Sequence, residues 1–460
     1  LAADSIITVG AGTSLGVVSS QQGMAGVRRR PFGVVHFPRS SAISFSVVNL
    51  AAVDALAQLE LYGDDGKLVT AAPVTLGPGA QYARYFTDVL GPEAAAADRW
   101  VRGFLSVGEA YGLWLVNDAG LNYLDGTRAP DVREAYSEQV VPVVAGTTEL
   151  VLINPHKAAA AATLTVRGGD GTVKGTVARR LEGRTRQVID VGTLARAVGS
   201  GDWVEVRSDR GLAGVEIFGD GMAKGCLGGL PPGQPNQVLY SPHVAVGDFG
   251  VVYRTELTLV NTGEYEAAPR VVLVGDGGTT VASVDVVVPA RGKTVVDLGP
   301  ALGLGGAATG YLRIEGIGPA RLAGSVTFGD AAGGRFVSCL PLLAEGWSDY
   351  LLGHIANGEI GGIGFFTGLA VLNVDWSART VTVRAFDQAG VQRGEAVLEL
   401  QPNQRVVNLL SGLMPELTSL FGGYLTIDAP PGSRLLVFEL FGDGALNFLS
   451  AVPAAPLPSE

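Results

Sequence analysis

The chain has 460 residues but only two cysteines, Cys226 and Cys339, three methionines and four histidines. Two cysteines so far apart exclude a disulfide framework, and they exclude a thiolate zinc site, which takes about four close ligands. The histidines (His36, His156, His243 and His354) leave little for metal binding or general-base chemistry, and no cofactor is expected. Charged residues make up 17% and sum to a net charge of −11, whereas ordinary soluble domains carry roughly 25%. So acidic and charge-poor a chain has no electrostatic footprint for nucleic acid or anionic lipid. No apolar run approaches the roughly 18–20 residues of a membrane helix, so no membrane span is expected. There is no Asn-x-Ser/Thr sequon. The start Leu1-Ala2-Ala3-Asp4, with neither Met nor a charged leader, is what a processed, secreted chain would show.

What the chain has in abundance is apolar residues, 47%, and glycine, 66 residues. Such a composition excludes disorder, and the length suits three or four domains of about 100–150 residues. One pattern is written four times. An apolar strand ends in Asn49, Asn154, Asn261 and Asn373, at steps of 105, 107 and 112 residues. A turn glycine follows after 17, 17, 16 and 17 residues, at Gly66, Gly171, Gly277 and Gly390. A second turn comes next, at Pro78-Gly79, Glu182-Gly183, Arg291-Gly292 and Pro402-Asn403. A strand then opens on an aromatic: Phe104, Trp203, Tyr311 and Tyr424. Three of the repeats close in Phe-Gly-Asp, at Phe218, Phe328 and Phe441, where the first has Val116-Asn117-Asp118.

Between these landmarks polar and apolar residues alternate, as in Thr163-Leu164-Thr165-Val166 and Thr380-Val381-Thr382-Val383. Such alternation, bounded by glycine turns, predicts antiparallel strands with one face buried. Leucine-spaced stretches after the second turn predict one short helix or helical turn per repeat. A unit of this size matches an immunoglobulin-like sandwich and can bury its own core. The expected fold is all-β: an extended N-terminal arm (1–30) and four tandem immunoglobulin-like β-sandwiches at 31–135, 136–235, 236–345 and 346–460. They are expected to be separately cored, like beads on a string.

The third unit carries Tyr240-Ser241-Pro242-His243-Val244-Ala245 and Thr255-Glu256-Leu257-Thr258-Leu259-Val260-Asn261; the second ends Gly214-Val215-Glu216-Ile217-Phe218-Gly219. In these motifs each unit resembles the tandem repeats of about 105 residues found in secreted bacterial proteins, over residues 31–455. The resemblance implies an extracellular, non-catalytic module and brings no chemistry with it.

The candidate sites are weak ones. His36, His243 and His354 read as equivalent first-strand positions, each an imidazole bonded to a backbone carbonyl at the sandwich rim. Asp220, Asp330 and Asp443 of the Phe-Gly-Asp turns could contribute to calcium sites, but calcium takes six to eight oxygens, and a lone Asp after Gly reads as a turn residue. Gly12-Thr13-Ser14-Leu15-Gly16 matches the nucleophile elbow of serine hydrolases without the alternating helices and strands that make it work. The recurring aromatics read as core packing rather than a sugar platform. The arm is the unabsorbed piece. Ile6, Ile7, Val9, Leu15, Val17 and Val18 have strand composition, Arg28, Arg29 and Arg30 form the basic cluster, and a strand pair alone is marginal in water. The arm should add to a sheet edge, its own or a neighbouring subunit's, the latter giving head-to-tail polymers. The expected function is that of a non-enzymatic extracellular or cell-surface structural protein, a filament, stalk or sheath subunit whose partner is itself. The alternative is a secreted adhesin or carbohydrate-binding module that contacts cell-surface components or polysaccharide.

Overall fold

The computed structural model describes residues 34–457, except 42, 107–109, 118–123, 148, 221–222 and 333. The arm, with the Ile6–Val18 strand residues, the Arg28–Arg30 cluster and the Gly12–Gly16 motif, lies outside the described residues.

The chain is all-β, and every ladder is antiparallel. The first unit has β1 (Val34–Phe37), β2 (Ile43–Asn49), β3 (Ala55–Gly63), β4 (Leu68–Leu76), β5 (Gln81–Tyr85), β6 (Arg99–Leu105), β7 (Ala110–Asn117) and β8 (Leu124–Arg128). They pair as two sheets, β4-β3-β6-β1 and β5-β2-β7-β8. The second unit has β9 (Tyr136–Val141), β10 (Glu149–Ile153), β11 (Ala160–Arg167), β12 (Val173–Leu181), β13 (Arg186–Asp190), β14 (Trp203–Asp220) and β15 (Ala223–Gly228). Here the 18-residue β14 serves both sheets, between β11 and β9 and then between β10 and β15.

The third unit has β16 (Leu239–Asp248), β17 (Val252–Asn261), β18 (Arg270–Val274), β19 (Thr280–Asp285), β20 (Lys293–Asp297), β21 (Ala308–Glu315), β22 (Leu322–Asp330) and β23 (Val337–Pro341). The last has β24 (Asp349–Leu352), β25 (Ala356–Ile360), β26 (Ile363–Asn373), β27 (Arg379–Phe386), β28 (Gln392–Leu400), β29 (Arg405–Leu409), β30 (Leu420–Phe421), β31 (Tyr424–Asp428), β32 (Leu435–Asp443), β33 (Leu449–Pro453) and β34 (Ala455–Pro456). The pairing order of the first unit returns in both, as β19-β18-β21-β16 with β20-β17-β22-β23, and as β28-β27-β31-β24 with β29-β26-β32-β33. Short helical turns follow β5, β13, β20 and β29, at Phe86–Leu90, Val191–Thr193, Leu298–Ala301 and Leu410–Leu413.

The repeated asparagine is a clamp. Asn49, Asn154, Asn261 and Asn373 are completely buried. Asn154 Nδ2 donates to the carbonyls of Ala158 (2.9 Å), Leu181 (3.1 Å) and Glu182 (2.9 Å), while its Oδ1 accepts from His156 N at 3.0 Å. Asn49 and Asn373 repeat all four bonds, and Asn261 repeats three. One amide thus ties the end of the second strand to the next loop and to the following turn. Only a side chain with both donor and acceptor can satisfy these backbone groups in a buried place.

The separately cored beads do not hold. Each unit has apolar residues between its sheets, but further clusters run from one unit into the next. In β10, Leu150 and Leu152 face their own core with Leu164 and Leu181, whereas Val151 and Ile153 belong to the cluster of the first unit that holds Trp100. In β17, Leu257 and Leu259 face inward, and Val260 meets Trp203 and Leu227 of the second. In β26, Leu369 and Val371 face inward while Leu372 meets Tyr240, Val272 and Tyr311 of the third. Finally Val48, Tyr111 and Leu113 of the first unit pack with Leu351, Tyr424 and Phe441 of the last. The sandwiches therefore close a ring, one sheet of each lying on the opposite sheet of its predecessor. Strands sealed on both faces read as continuous apolar runs, as in parallel sheets covered on both sides.

Candidate functional site

The landmarks that step through the sequence meet at the joints of this ring. The glycine of the first turn adopts a left-handed conformation at Gly66 (φ 79°), Gly171 (φ 85°), Gly278 (φ 82°) and Gly390 (φ 79°). In the third unit it is Gly278, one residue beyond the expected Gly277. Each rests on the second turn of the next unit: a Cβ on Gly171 would lie 2.2 Å from Ala290 O, and one on Gly390 would lie 2.7 Å from Gly79 C. That second turn also holds a left-handed residue, Gly79, Arg184, Arg291 or Asn403. The recurring aromatics cap its carbonyl across the joint: Trp203 Nε1 donates to Arg291 O (3.0 Å), Tyr311 Oη to Asn403 O (2.9 Å) and Tyr424 Oη to Gly79 O (2.8 Å). The first unit's equivalent is Trp100, which pairs with Tyr62 as Trp203 pairs with Arg167; the expected Phe104 is four residues too far along β6.

The first residue of the strand after that turn plugs the joint. Arg186, only 1% exposed, donates to the carbonyls of Pro38 (2.7 Å), Arg99 (2.9 Å) and Ala97 (2.6 Å) and pairs with Asp64 (2.7 Å). Lys293 Nζ donates to the carbonyls of Pro142 (2.6 Å), Val143 (3.0 Å) and Asp202 (3.0 Å). Arg405 donates to Pro242 O (3.0 Å) and Gly310 O and pairs with Asp276. In the joint that closes the ring the residue is Gln81, whose Nε2 donates to Gly353 O (2.8 Å) and Gly423 O (2.7 Å).

On the axis the last strands of the units converge on one carboxyl group. Asp125 of β8 is 1% exposed, and its Oδ1 accepts from Ser338 Oγ of β23 (2.8 Å) and Ser450 Oγ of β33 (2.7 Å). Its Oδ2 accepts from Cys226 N of β15 at 3.0 Å. Burial without a neighbouring cation pushes this carboxyl up to about 7, against the hydrogen bonds that hold it down. Register places Asp125, Gly225, Ser338 and Ser450 at one equivalent position, opposite Val116, Phe218, Phe328 and Phe441. A cavity of about 440 Å³ opens further along the same strands. The connections between sandwiches line it, with Arg128, Glu134, Tyr136, Leu230, Glu345 and Trp347 among the side chains. Arg128 and Glu134 form an ion pair at its wall.

The histidines do not gather. His36 lies opposite Arg102 in β1, the place of Tyr240 opposite Arg313, so it sits three residues out of step with His243. The expected equivalence of His36 with His243 and His354 fails because Pro38, not His36, occupies the position of Pro242. His36 Nδ1 faces Pro130 O (3.1 Å) and His156 Nε2 faces Gly211 O (2.9 Å), while His243 packs on Phe328 and His354 on Phe441. Burial lowers His36 and His243 to about 3 and His354 to about 4, so all three are neutral. Asp330 and Asp443 spend their carboxylates on their own turns, bonding Ala332 N and Asn447 N; the side chain of Asp220 lies outside those described. Among the described residues no group of three or more His, Cys, Asp or Glu side chains could hold a metal. No helix among them is long and apolar enough to cross a membrane. Cys226 and Cys339 are buried free thiols on β15 and β23.

Sequence reasoning missed the axial aspartate and the joint cations. The signal was present, since Arg186, Lys293 and Arg405 each stand 32 residues after the repeated asparagine in three units and Gln81 does so in the first.

No protein-family model and no characterised protein matches the chain. Among solved structures, Thermotoga maritima 1070 is 10% identical, with a TM-score of 0.20 over 25% of this chain and 98% of its own. A tetra-tandem repeat from the extending region of a large adhesion protein is 11% identical, with a TM-score of 0.11 over 93% of this chain and 100% of its own. Both TM-scores are too low to establish a shared fold.

Proposed function

We propose that the chain is a non-catalytic, extracellular structural protein, a ring-shaped building block of four immunoglobulin-like sandwiches that assembles with copies of itself at a cell surface. The observation that carries this reading is the use of the buried polar groups. Arg186, Lys293, Arg405, Gln81 and Asp125 are all engaged in holding one sandwich to another, and among the described residues no acid, base and nucleophile converge on a reacting atom. Low charge and the resemblance of the repeats to those of secreted bacterial proteins support the location. Electron microscopy and light scattering of the purified full chain test the reading. Ordered assemblies are expected, and a monodisperse ring at every concentration would overturn it. Deleting residues 1–20 tests whether the arm is the joint between copies.

A binding module is the second reading, favoured by Trp376, which is 89% exposed, and by Trp347 at the axial cavity. Saturable polysaccharide binding, measured by calorimetry and lost in Trp376→Ala or Trp347→Ala, would establish it.

A further inference from the structure

The joints repeat one geometry, yet the joint between the last and first sandwiches differs from the others twice over. Among the described residues no peptide connection crosses it, and its plug carries no charge. Gln81 stands where Arg186, Lys293 and Arg405 bring a cation. Glu439 of β32 stands opposite Leu369 on the inward face of the last sandwich, between Val437 of its core and Phe441 of the seam, as Glu216 stands two residues before Phe218. Glu216 has help: its Oε2 accepts from Val143 N (3.0 Å), and the Lys293 ammonium draws its carboxyl down against the effect of burial. Glu439 is completely buried, and neither carboxylate oxygen has a hydrogen-bond partner among the described residues. Burial alone pushes it well above the usual carboxylate range. The ionisable group that feels it is Tyr111, on β7 across the seam, which is pushed up by burial and by Glu439, while His354 packs on Phe441 and is held neutral by burial.

We propose that this seam is the exchangeable joint of the ring: it opens reversibly, and the first sandwich of one molecule docks on the last sandwich of a second copy. This deepens the structural reading by naming the surface through which copies join. The surfaces are the β5-β2-β7-β8 face, with Val48, Tyr111 and Leu113, and its complement around Leu351, Tyr424 and Phe441. The occupant must be a second copy because the contact is heterologous. A joint whose faces differ closes a ring within one chain and extends a row when it forms between chains. Forming it between copies remakes the seam's own contacts, such as Ser450 to Asp125. Opening is the slow step. It is favoured as Glu439 ionises, because the freed carboxylate regains water, so exchange quickens as pH rises.

The test follows the appearance of oligomers in concentrated full-length protein at pH 5.5 and 8.5, by light scattering after size exclusion. Multiples of the 47.4 kDa chain are expected, forming at least about tenfold faster at the higher pH. Gln81→Lys, which restores the cation found at the equivalent place as Lys293, should slow that rate at pH 8.5. Glu439→Gln should weaken the dependence of the rate on pH, leaving only the part set by Asp125, whose bond with Ser450 the opening also breaks, and it serves as the second probe if Gln81→Lys does not fold. A chain that stays a monomer under both conditions overturns the proposal. So do oligomers whose rate neither variant changes, an outcome that leaves the structural reading standing and moves the joint between copies elsewhere.

Discussion

Replacing Gly171 by alanine separates the ring from a string of beads. Gly171 has φ 85° and its missing Cβ would lie 2.2 Å from Ala290 O of the next sandwich. Gly318 has φ 60°, but nothing lies within 4 Å of its Cβ position. Both substitutions incur the left-handed penalty of roughly 1–2 kcal/mol. Gly171→Ala alone must also push the second and third sandwiches apart, an overpacking cost of about 1–3 kcal/mol. The totals are about 2–5 kcal/mol for Gly171→Ala and about 1–2 kcal/mol for Gly318→Ala. Urea unfolding followed by tryptophan fluorescence reads the difference, because Trp203 is buried at that same joint. Equal midpoint shifts would refute the reasoning, since they would mean that the turn of one sandwich does not rest on the next.

Other outcomes follow from the same geometry. Arg405→Ala should destabilise the protein by about 2 kcal/mol or more in chemical denaturation, because it leaves two buried carbonyls without a donor, while the half-exposed Asp276 turns to water. Asn154→Ala should cost about 3 kcal/mol or more, since it orphans buried carbonyls and one N–H, and Asn154→Asp should not rescue it, having no amide to donate. Asp125 takes up a proton on folding, its carboxyl standing at about 7 in the folded chain and about 3.9 in the unfolded one. Its contribution is therefore full at acid pH and is lost as pH rises to about 7, by up to about 4 kcal/mol. The neutral histidines act in the opposite sense, costing stability as pH falls below about 6.5, so the difference between wild type and Asp125→Asn at pH 5 and pH 8 isolates the aspartate. Small-angle scattering should give a radius of gyration of roughly 23 Å for the ring; a much larger value would restore the string of beads.

The alternation in β11, β12, β27 and β28 made the strands legible, because one face of those sheets meets solvent and the other the core. The clamp asparagines and the turn glycines were legible as landmarks for the same reason that they fold the chain, since few residues can replace them. Their second use, at the joints, was not legible. A glycine needed for φ and one needed for the close approach of another sandwich look alike in one sequence. Runs such as Val151-Leu152-Ile153 and Leu435-Leu436-Val437-Phe438 did carry the message that both faces were covered. Taken as single buried strands, they concealed the neighbour. His36 stands three residues out of register with His243, because proline, not histidine, marks the equivalent position.

The axial position also bears on why four sandwiches share one chain. A ring built from identical subunits repeats at its axis whatever residue stands there. Four carboxylates in one dry spot would repel, and four glycines or four serines would offer no single acceptor for the surrounding donors. A tandem chain escapes that constraint: it sets one acid, two hydroxyls and one bare backbone at the equivalent place, as Asp125, Ser338, Ser450 and Gly225. Tandem repetition within one chain thus gives this centre an asymmetry that no symmetric ring of identical copies can reach.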